Sequence, residues 1–255
     1  MLGPPRPMPA LMRPANLRAA LLVIAAAFSL TALAGCFRIK NNTASDSLVT
    51  GKKLFVAKCG SCHTLSRAGT KGTVGPNLDV AFRQDLQDGL GRTIIRGVAR
   101  GQIVSPNARG AMPANLVRGA QADDVAAYVA YAADNPGQDT GLLAAAVPLP
   151  GAGKPAVEAN GQLEIDADPT GQLAYVTKQA TGKPGPVTIK MKNSSGTAHN
   201  IAVQSGTSGP VLGASPITPN GVAQLHATLK PGTYTYFCQV DGHRAAGMLG
   251  TLVVK

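Results

Sequence analysis

Three patterns of apolar and polar positions follow one another along the chain. Residues 19–35 are apolar apart from Ser29 and Thr31, and such a run predicts an export signal or a short membrane anchor. Between residues 121 and 134, apolar side chains recur at the spacing of a helix that buries one face. From about residue 158 onward, short apolar or alternating runs stand between Gly- and Pro-rich turns, which predicts an all-β sandwich or barrel.

The helical segment also has an N-terminal signal. Asp123 and Asp124 lie in its first turn, where the helix dipole favours negative charge. The apolar stripe, which we expect to be buried, consists of Val125, Tyr128, Val129 and Ala132. The predicted strands are QLEID (162–166), LAYVTK (173–178), VTIKMKN (187–193), HNIAVQ (199–204), VAQLHATL (222–229), GTYTYFC (232–238) and GTLVV (250–254).

The four cysteines fall into three separate contexts, so the chain needs no structural disulfide. Cys59 and Cys62 form the sequence CGSCH with His63, which is the pattern for covalent attachment of a c-type haem. Two thiols at this spacing can bond to the two vinyl groups of one porphyrin, and His63 can then bind the iron. The alternatives are a bare C-x-x-C redox pair or half of a zinc site, but neither a βαβ pattern nor a second close pair is visible.

A six-coordinate haem needs a ligand on its other face. Met112 is the one methionine within residues 48–135, and it lies in the irregular stretch GAMPA. Methionine paired with histidine raises the reduction potential of a haem iron and suits electron transfer. The alternative is that Met112 is an ordinary core residue.

These motifs together resemble a class I cytochrome c over residues 48–135. The resemblance is carried by GKKLFVAKCGSCHTL, GTVGPNL, GAMPANL and DDVAAYVAYAA. It implies an all-α domain with one covalently bound haem c. It also implies that the Pro76 carbonyl accepts a hydrogen bond from His63, which would fix the ring orientation. In this family the last helix packs across the first, here near Gly51 and Phe55.

A second ligand set lies at the other end of the chain. Cys238, His243 and Met248 precede the last predicted strand, and His199 begins an earlier one. Two histidines, one thiolate and one weak methionine are the ligands of a blue copper site. Three alternatives stay open: a Cys/His/His set can bind zinc, Cys238 can be a buried free thiol, and Met248 can be a core residue.

The segment TYTYFCQVDGHRAAGMLGTLVVK resembles the copper loop of the cupredoxins, and its C-x4-H-x4-M spacing is most similar to that of rusticyanin. The resemblance implies a Greek-key cupredoxin sandwich over residues 158–255 with one type 1 copper, and it implies that Asn200 ties the ligand strand to the Cys238 loop. Tyr234 stands where the binuclear copper site of oxidase subunit II needs a second cysteine. His226 is interpreted as a structural or surface residue.

The N-terminal residues predict export. Residues 1–36 contain three arginines and no acidic residue, and they end in LAGC, which resembles a bacterial lipobox. We therefore expect a signal peptide cleaved before Cys36 and lipid on Cys36; the alternative is an uncleaved transmembrane anchor. Residues 37–47 are expected to form a polar tether. Residues 136–157 are rich in Gly, Pro and Ala and predict a flexible interdomain linker.

Charge adds an expectation about partners. The net charge is +11, and Arg92, Arg96 and Arg100 recur at one helical face. This face is either a solvated surface or a docking patch for an acidic redox partner, whose encounter opposite charge would accelerate. The predicted export and the absence of Trp argue against nucleic-acid binding.

These features favour an extracytoplasmic, lipid-anchored electron carrier without a catalytic residue. It would pass single electrons through a haem and a copper between a quinol-oxidising complex and a terminal oxidase. Two alternatives stay open: a copper-handling or copper-sensing lipoprotein, and a copper-dependent reductase of the nitrite-reductase type. The second alternative would need another copper between cupredoxin domains, and the sequence offers only His226 as a spare ligand.

Overall fold

The computed structural model describes residues 44–255. The predicted signal peptide, the lipidation site Cys36 and residues 37–43 of the predicted tether therefore lie outside the described residues. The rest of the predicted tether is not separate from the fold, because the first helix already begins at Ala44. In residues 44–255, no helix has both the length and the apolar character needed to cross a membrane.

The N-terminal half is mainly helical, and we call residues 44–134 the helical domain. It also contains two short strands, β1 (Thr64–Leu65) and β2 (Thr70–Lys71), which pair in antiparallel fashion. The expectation of an all-α domain is therefore not confirmed. The helices are α1 (Ala44–Lys58), α2 (Leu78–Ala81), α3 (Arg83–Gln87), α4 (Arg92–Val104) and α5 (Ala120–Asp134).

Helices α1 and α5 cross in close contact, as the resemblance implied. A Cβ added to Gly51 would overlap the backbone carbonyl of Asp124, so only glycine allows this approach. The Phe55 and Tyr128 rings lie next to it, with centroids 6.4 Å apart. The four residues of the predicted stripe on α5 are all buried, and that prediction is confirmed.

Helix α4 has apolar residues on two faces. Ile95, Ala99 and Ile103 are buried in the core of the domain. Ile94 and Val98 lie one turn apart on a neighbouring face and are 48% and 46% exposed. A domain of this size rarely leaves large apolar side chains in pairs on its surface unless something covers them.

The arginines of α4 are partly neutralised by α5. Arg92 pairs with Asp134 at 2.7 Å, and Arg100 pairs with Asp123 at 2.5 Å. Within the described chain, Arg96 is the one arginine of the three without an ion pair. The predicted basic face is therefore weaker than the sequence suggested.

Residues 156–255, which we call the β domain, form two sheets. The strands are β3 (Ala156–Val157), β4 (Gln162–Glu164), β5 (Gln179–Gly182), β6 (Gly185–Asn193), β7 (Ala202–Ser205), β8 (Val211–Ala214), β9 (Gly221–Leu229), β10 (Gly232–Phe237) and β11 (Leu249–Val254). One sheet has the order β3-β5-β11-β10-β7-β8 and the other has the order β4-β6-β9. Residues from both sheets form one buried cluster, as in a sandwich.

One strand prediction is wrong. The segment LAYVTK, residues 173–178, is a series of bends with isolated bridges, and the strand β5 begins only at Gln179. The alternating pattern there has another cause: Tyr175 is buried and donates a hydrogen bond to the carbonyl of Asn200 at 2.7 Å. Side-chain burial without a ladder of backbone hydrogen bonds produces the same sequence pattern as a strand.

The segment between the domains is packed, although its composition predicted a flexible linker. It contains a short helix, α6 (Gly141–Ala145), and Val147 belongs to the core of the helical domain. Asp139 is almost fully buried, and its carboxylate contacts Lys52 at 2.9 Å and Arg67 at 2.6 Å. Tyr128 donates a further hydrogen bond to Asp139 at 2.8 Å. Sequence reasoning missed this cluster.

Candidate metal centres

The CGSCH motif forms a tight turn directly after α1. The N–H groups of Cys59 and Gly60 donate to the carbonyl of Phe55, and those of Cys62 and His63 donate to the carbonyl of Cys59. These bonds place the two sulfur-bearing residues and His63 on one turn, as attachment to a single porphyrin requires.

The pKa of the Cys59 thiol bears on the alternative that CGSCH is a redox pair. Burial raises the pKa of the Cys59 thiol to about 12, and the neighbouring Cys62 adds to the increase. Redox-active C-x-x-C cysteines have lowered pKa values, because the thiolate is the reacting form. Cys59 therefore does not have the electrostatics of a thioredoxin-like site.

The imidazole of His63 is held with one nitrogen free. Its Nδ1 donates to the carbonyl of Pro76 at 2.9 Å, the contact that the resemblance implied. A Cβ added to Gly75 would lie 2.5 Å from Cε1 of His63, so the loop closes against the ring at a glycine. Nε2 keeps its lone pair for a metal. These residues fit a haem, whose iron Nε2 of His63 would bind.

Met112 is half-buried and packs against the core of the helical domain. It lies between α4 and α5, in a segment without regular structure that the N–H of Asn115 ties to the carbonyl of Ile103 at 2.9 Å. Its assignment as the second haem ligand stays a prediction.

The second centre lies in the β domain. His199, Cys238 and His243 are buried, and their ligand atoms all lie within 4.8 Å of one another. The two Nδ1 atoms are 3.1 Å apart, and Sγ of Cys238 lies 4.0 Å from Nδ1 of His199 and 3.6 Å from Nδ1 of His243. A point equidistant from these three atoms lies about 2.1 Å from each, which matches metal–nitrogen bond lengths of about 2.0–2.1 Å. The three residues therefore fit one metal ion.

The loop from Cys238 to Met248 is closed by backbone bonds. The N–H of Cys238 donates to the carbonyl of Met248 at 3.1 Å, and the N–H of Met248 donates to the carbonyl of His243 at 3.0 Å. His243 opens the short helix α7 (His243–Ala246) after Gly242, whose φ is +76°. The side chain of Met248 is fully buried in the core beside the site. Its role as the weak axial ligand stays a prediction.

His199 is held outside strand β7, which begins three residues later than predicted. Its backbone exchanges two hydrogen bonds with Thr218, at 3.0 and 2.9 Å. Nε2 of His199 is buried without a partner in the described part of the chain. The other ring nitrogen, Nδ1, faces His243 and Cys238 and is the atom of His199 that could bind a metal shared with them.

The site is built for neutral histidines. Burial, with a smaller contribution from His243, lowers the pKa of His199 to about 4. Burial also lowers the pKa of His243, and Asp241 partly opposes this. Burial raises the pKa of the Cys238 thiol, while hydrogen bonds from the backbone of Asn200 and Val240 act in the other direction. A bound metal would complete the deprotonation, because metal binding releases ligand protons.

Asn200 connects the two segments that carry the ligands. Its Oδ1 accepts from the N–H of Gln239 at 2.7 Å, and its Nδ2 donates to Oε1 of Gln239 at 2.9 Å and to the carbonyl of Ser215 at 3.2 Å. The contact that the resemblance implied is present. Asn200 follows His199 in the sequence and Gln239 follows Cys238, so the hydrogen bonds between Asn200 and Gln239 fix the distance between the two ligands.

We expect Asn200→Ala to weaken copper binding by about 10–100-fold, because groups that orient metal ligands typically contribute that much. The variant leaves the Gln239 amide and the Ser215 carbonyl without their partner. Copper affinity, measured by competition with a chelator, checks the expectation. His226→Ala is the control, because His226 is exposed and contacts Thr188 on the neighbouring strand at 3.0 Å. If Asn200→Ala bound copper as tightly as the parent protein, Asn200 would not be a residue that positions the ligands.

His243 and Arg244 lie side by side at the start of α7. His243 is only 8% exposed. Arg244, beside it, lies 4.1 Å from the centroid of the Phe237 ring and donates to Oε1 of Gln204 at 2.9 Å. This arginine is therefore held against the sheet.

Two family models match the chain. Residues 48–133 match the family described as cytochrome c. Residues 162–255 match the copper binding proteins of the plastocyanin/azurin family. A comparison with curated proteins found no match.

Solved cupredoxin structures resemble the C-terminal part of the chain. Auracyanin from the photosynthetic bacterium Roseiflexus castenholzii is 27% identical, with 38% of this chain and 99% of that chain covered and a TM-score of 0.35. Auracyanin A, a blue copper protein from Chloroflexus aurantiacus, is 27% identical, with coverage of 40% and 100% and a TM-score of 0.33. Reduced rusticyanin is 19% identical, with coverage of 40% and 84% and a TM-score of 0.30.

The two family matches are consecutive and do not overlap, and each contains one of the two centres described above. A cytochrome c domain implies haem, and a plastocyanin/azurin-type domain implies copper. The chain therefore combines a region similar to cytochrome c with a following region similar to the plastocyanin/azurin copper binding proteins.

Proposed function

We propose that this protein is an extracytoplasmic electron carrier, anchored to the membrane by lipid on Cys36, that passes single electrons through one haem c and one type 1 copper. The observation that carries the proposal is the presence in one chain of a CGSCH turn with an oriented His63 and a buried His–Cys–His cluster. The haem iron and the copper that these residues would hold each gain or lose one electron at a time.

Exposed apolar side chains of the helical domain are a second argument for a bound haem, in addition to the CGSCH motif. Val74 is 70% exposed, and Ile94, Val98 and Leu116 are between 40% and 48% exposed. A porphyrin is a flat apolar group, and it would cover side chains of this kind. When bound, the haem supplies the one-electron Fe(II)/Fe(III) couple, and His63 and Met112 are proposed to hold its iron.

The β domain supports a copper that needs little rearrangement. His199 and Cys238 are fully buried, and the loop that carries Cys238, His243 and Met248 is closed by its own backbone bonds. A bound copper supplies the Cu(II)/Cu(I) couple. Ligands held in place before and after the change of charge keep the cost of each electron transfer low.

The partners are proposed from the same reasoning. A quinol-oxidising complex would supply electrons and a terminal oxidase would accept them, both on the outer side of the membrane. The copper loop borders an open surface cavity of about 630 Å³ lined by Phe237, Gln239, Val240, Ala245 and Leu249 among others. The lining also includes Asp241 and Arg244, and a surface of mixed apolar and charged character next to a copper ligand suits brief docking of a redox protein.

An optical redox titration of the haem-containing, copper-loaded protein tests the proposal. We expect an intense thiolate-to-copper band that titrates separately from the haem bands, and the order of the two potentials gives the downhill direction. Titration of the haem alone would overturn the copper half of the proposal. Reversible copper loss under mild chelation would favour a copper-handling protein, and turnover of nitrite with an artificial donor would favour a reductase.

A further inference from the structure

The haem-attachment turn lies against the copper loop. A Cβ added to Gly242, next to the ligand His243, would lie 3.4 Å from Oγ1 of Thr73. A crevice of about 260 Å³ also lies between the two domains. Its walls come from the helical domain, from the β domain and from the segment between them: Gly60, Thr70, Lys71, Pro150, Leu173 and Gly247.

Thr73 is also close to the haem-binding cysteines. A Cβ added to its neighbour Gly72 would lie 2.5 Å from the carbonyl carbon of Cys62. Cys62 therefore contacts Gly72, Gly72 is bonded to Thr73, Thr73 faces Gly242, and Gly242 is bonded to His243. Only two steps between a haem-bearing residue and a copper ligand pass through space.

A second contact joins the domains away from the metal sites. Gly171 has φ of +86°, and a Cβ added to it would lie 3.0 Å from both Cα and the carbonyl oxygen of Ala57 on helix α1. Backbone therefore meets backbone at this point, and a side chain at position 171 would force the two surfaces apart.

The segment between the domains holds them in this position. Its first part is fixed to the helical domain by the buried Asp139 cluster. Farther along, the carbonyl of Pro148 accepts a hydrogen bond from Nε2 of Gln172 at 3.0 Å, and the N–H of Gly153 donates to the carbonyl of Val176 at 2.8 Å. Both ends are bound, so the domains are not joined by a free tether.

We propose that the cytochrome domain is the docked redox partner of the copper site, and that electrons cross between them inside one chain at the Thr73–Gly242 contact. This inference rests on the proposed function, because it needs both metals. In the step, Fe(II) and Cu(II) become Fe(III) and Cu(I), or the reverse. One electron moves, and no proton or further reactant is required.

Flash photoreduction of the holoprotein tests the inference. After a pulse reduces one centre, we expect equilibration between the haem band and the copper band in a phase whose rate does not depend on protein concentration. Gly171→Asn is expected to slow this phase by a few-fold or more, because a side chain at this position would force the two surfaces apart and lengthen the through-space steps between the centres. The absorption spectra of both centres should stay unchanged.

Gly89→Asn is the matched control. Gly89 has a similar φ of +80°, and a Cβ added to it meets nothing within 4 Å. Both variants carry the same strain, but only Gly171→Asn adds bulk between the domains. Hydrogen exchange gives a second readout: we expect faster exchange in residues 57–60 and 171–173 of Gly171→Asn and not of Gly89→Asn.

Thr73→Trp covers the case in which Gly171→Asn does not fold, because Thr73 is exposed and needs no left-handed backbone. It should slow the same phase. Absence of the copper band from the holoprotein would refute the proposed function itself. If both centres are present but equilibrate only at a rate that rises with protein concentration, this inference is wrong and the proposed function stands.

Discussion

Replacement of Cys238 by serine is expected to abolish the intense visible absorption of the copper centre while the haem spectrum stays unchanged. The band of a blue copper site arises from the thiolate, and a hydroxyl cannot supply it. Cys238 is 1% exposed and its Sγ lies 3.6 Å from Nδ1 of His243, so its sulfur is placed to be that thiolate. Absorption and electron paramagnetic resonance spectra of the copper-loaded variant check the expectation.

Met248→Leu is the matched control for this experiment. It keeps the apolar volume of a fully buried side chain, and such exchanges usually cost less than about 1.5 kcal/mol. It removes only the proposed weak axial sulfur, so we expect the band to persist with a changed reduction potential. The assignment of a type 1 copper site would be contradicted if the parent protein bound copper without this band. It would also be contradicted if the parent protein bound zinc in preference to copper. Thermal unfolding should be measured in parallel, because a buried hydroxyl without a partner costs about 1–3 kcal/mol.

Replacement of Asp139 by asparagine is expected to destabilise the protein by about 3–5 kcal/mol, the cost of removing one partner from a buried ion pair. The side chains of Asp139, Lys52 and Arg67 are 2%, 7% and 10% exposed. The variant would leave two cations close together without the anion that they share. Thermal unfolding monitored by circular dichroism should show a decrease in melting temperature of about 6–20 °C.

Asp134→Asn is the control, because it breaks a surface pair of the same type. The side chains of Arg92 and Asp134 are 50% and 38% exposed, and pairs of this kind contribute at most about 1 kcal/mol. Added salt should weaken the effect at position 134 and leave that at position 139 nearly unchanged, because buried charges are screened much less than exposed ones. Equal effects of the two variants would show that the Asp139 cluster is not the anchor of the interdomain segment.

The local parts of both centres could be predicted from the sequence. The spacing within CGSCH and within Cys238–His243–Met248 is a property of a few consecutive residues, and the backbone has few ways to arrange them. The same holds for the stripe on helix α5, whose 3.6-residue period is visible without any knowledge of its neighbours. The structure places each of these groups on one turn, one loop or one helix face.

Contacts between residues that are distant in the chain were harder to predict from the sequence. The strand prediction failed at residues 173–178 because Tyr175 is buried through its contact with the carbonyl of Asn200 and not through strand pairing. The sequence named His199 as a candidate ligand at the start of a predicted strand, but it did not show how His199 reaches Cys238. Its approach to Cys238 depends on the bridge to Thr218 and on Asn200, and strand propensity does not specify such pairing partners.

The ligand types, their local spacing and the order of a helical and a β-rich domain follow from short stretches of consecutive residues. The fixed position of residues 136–157 and the approach of the CGSCH turn to the loop of Cys238 depend instead on contacts between distant parts of the chain. Composition reports average flexibility, whereas the buried charge of Asp139 and the absence of a side chain at Gly171 act through partners far away in the chain. Burial and close backbone approach are properties of the folded arrangement, and they become visible only when both partners are in position.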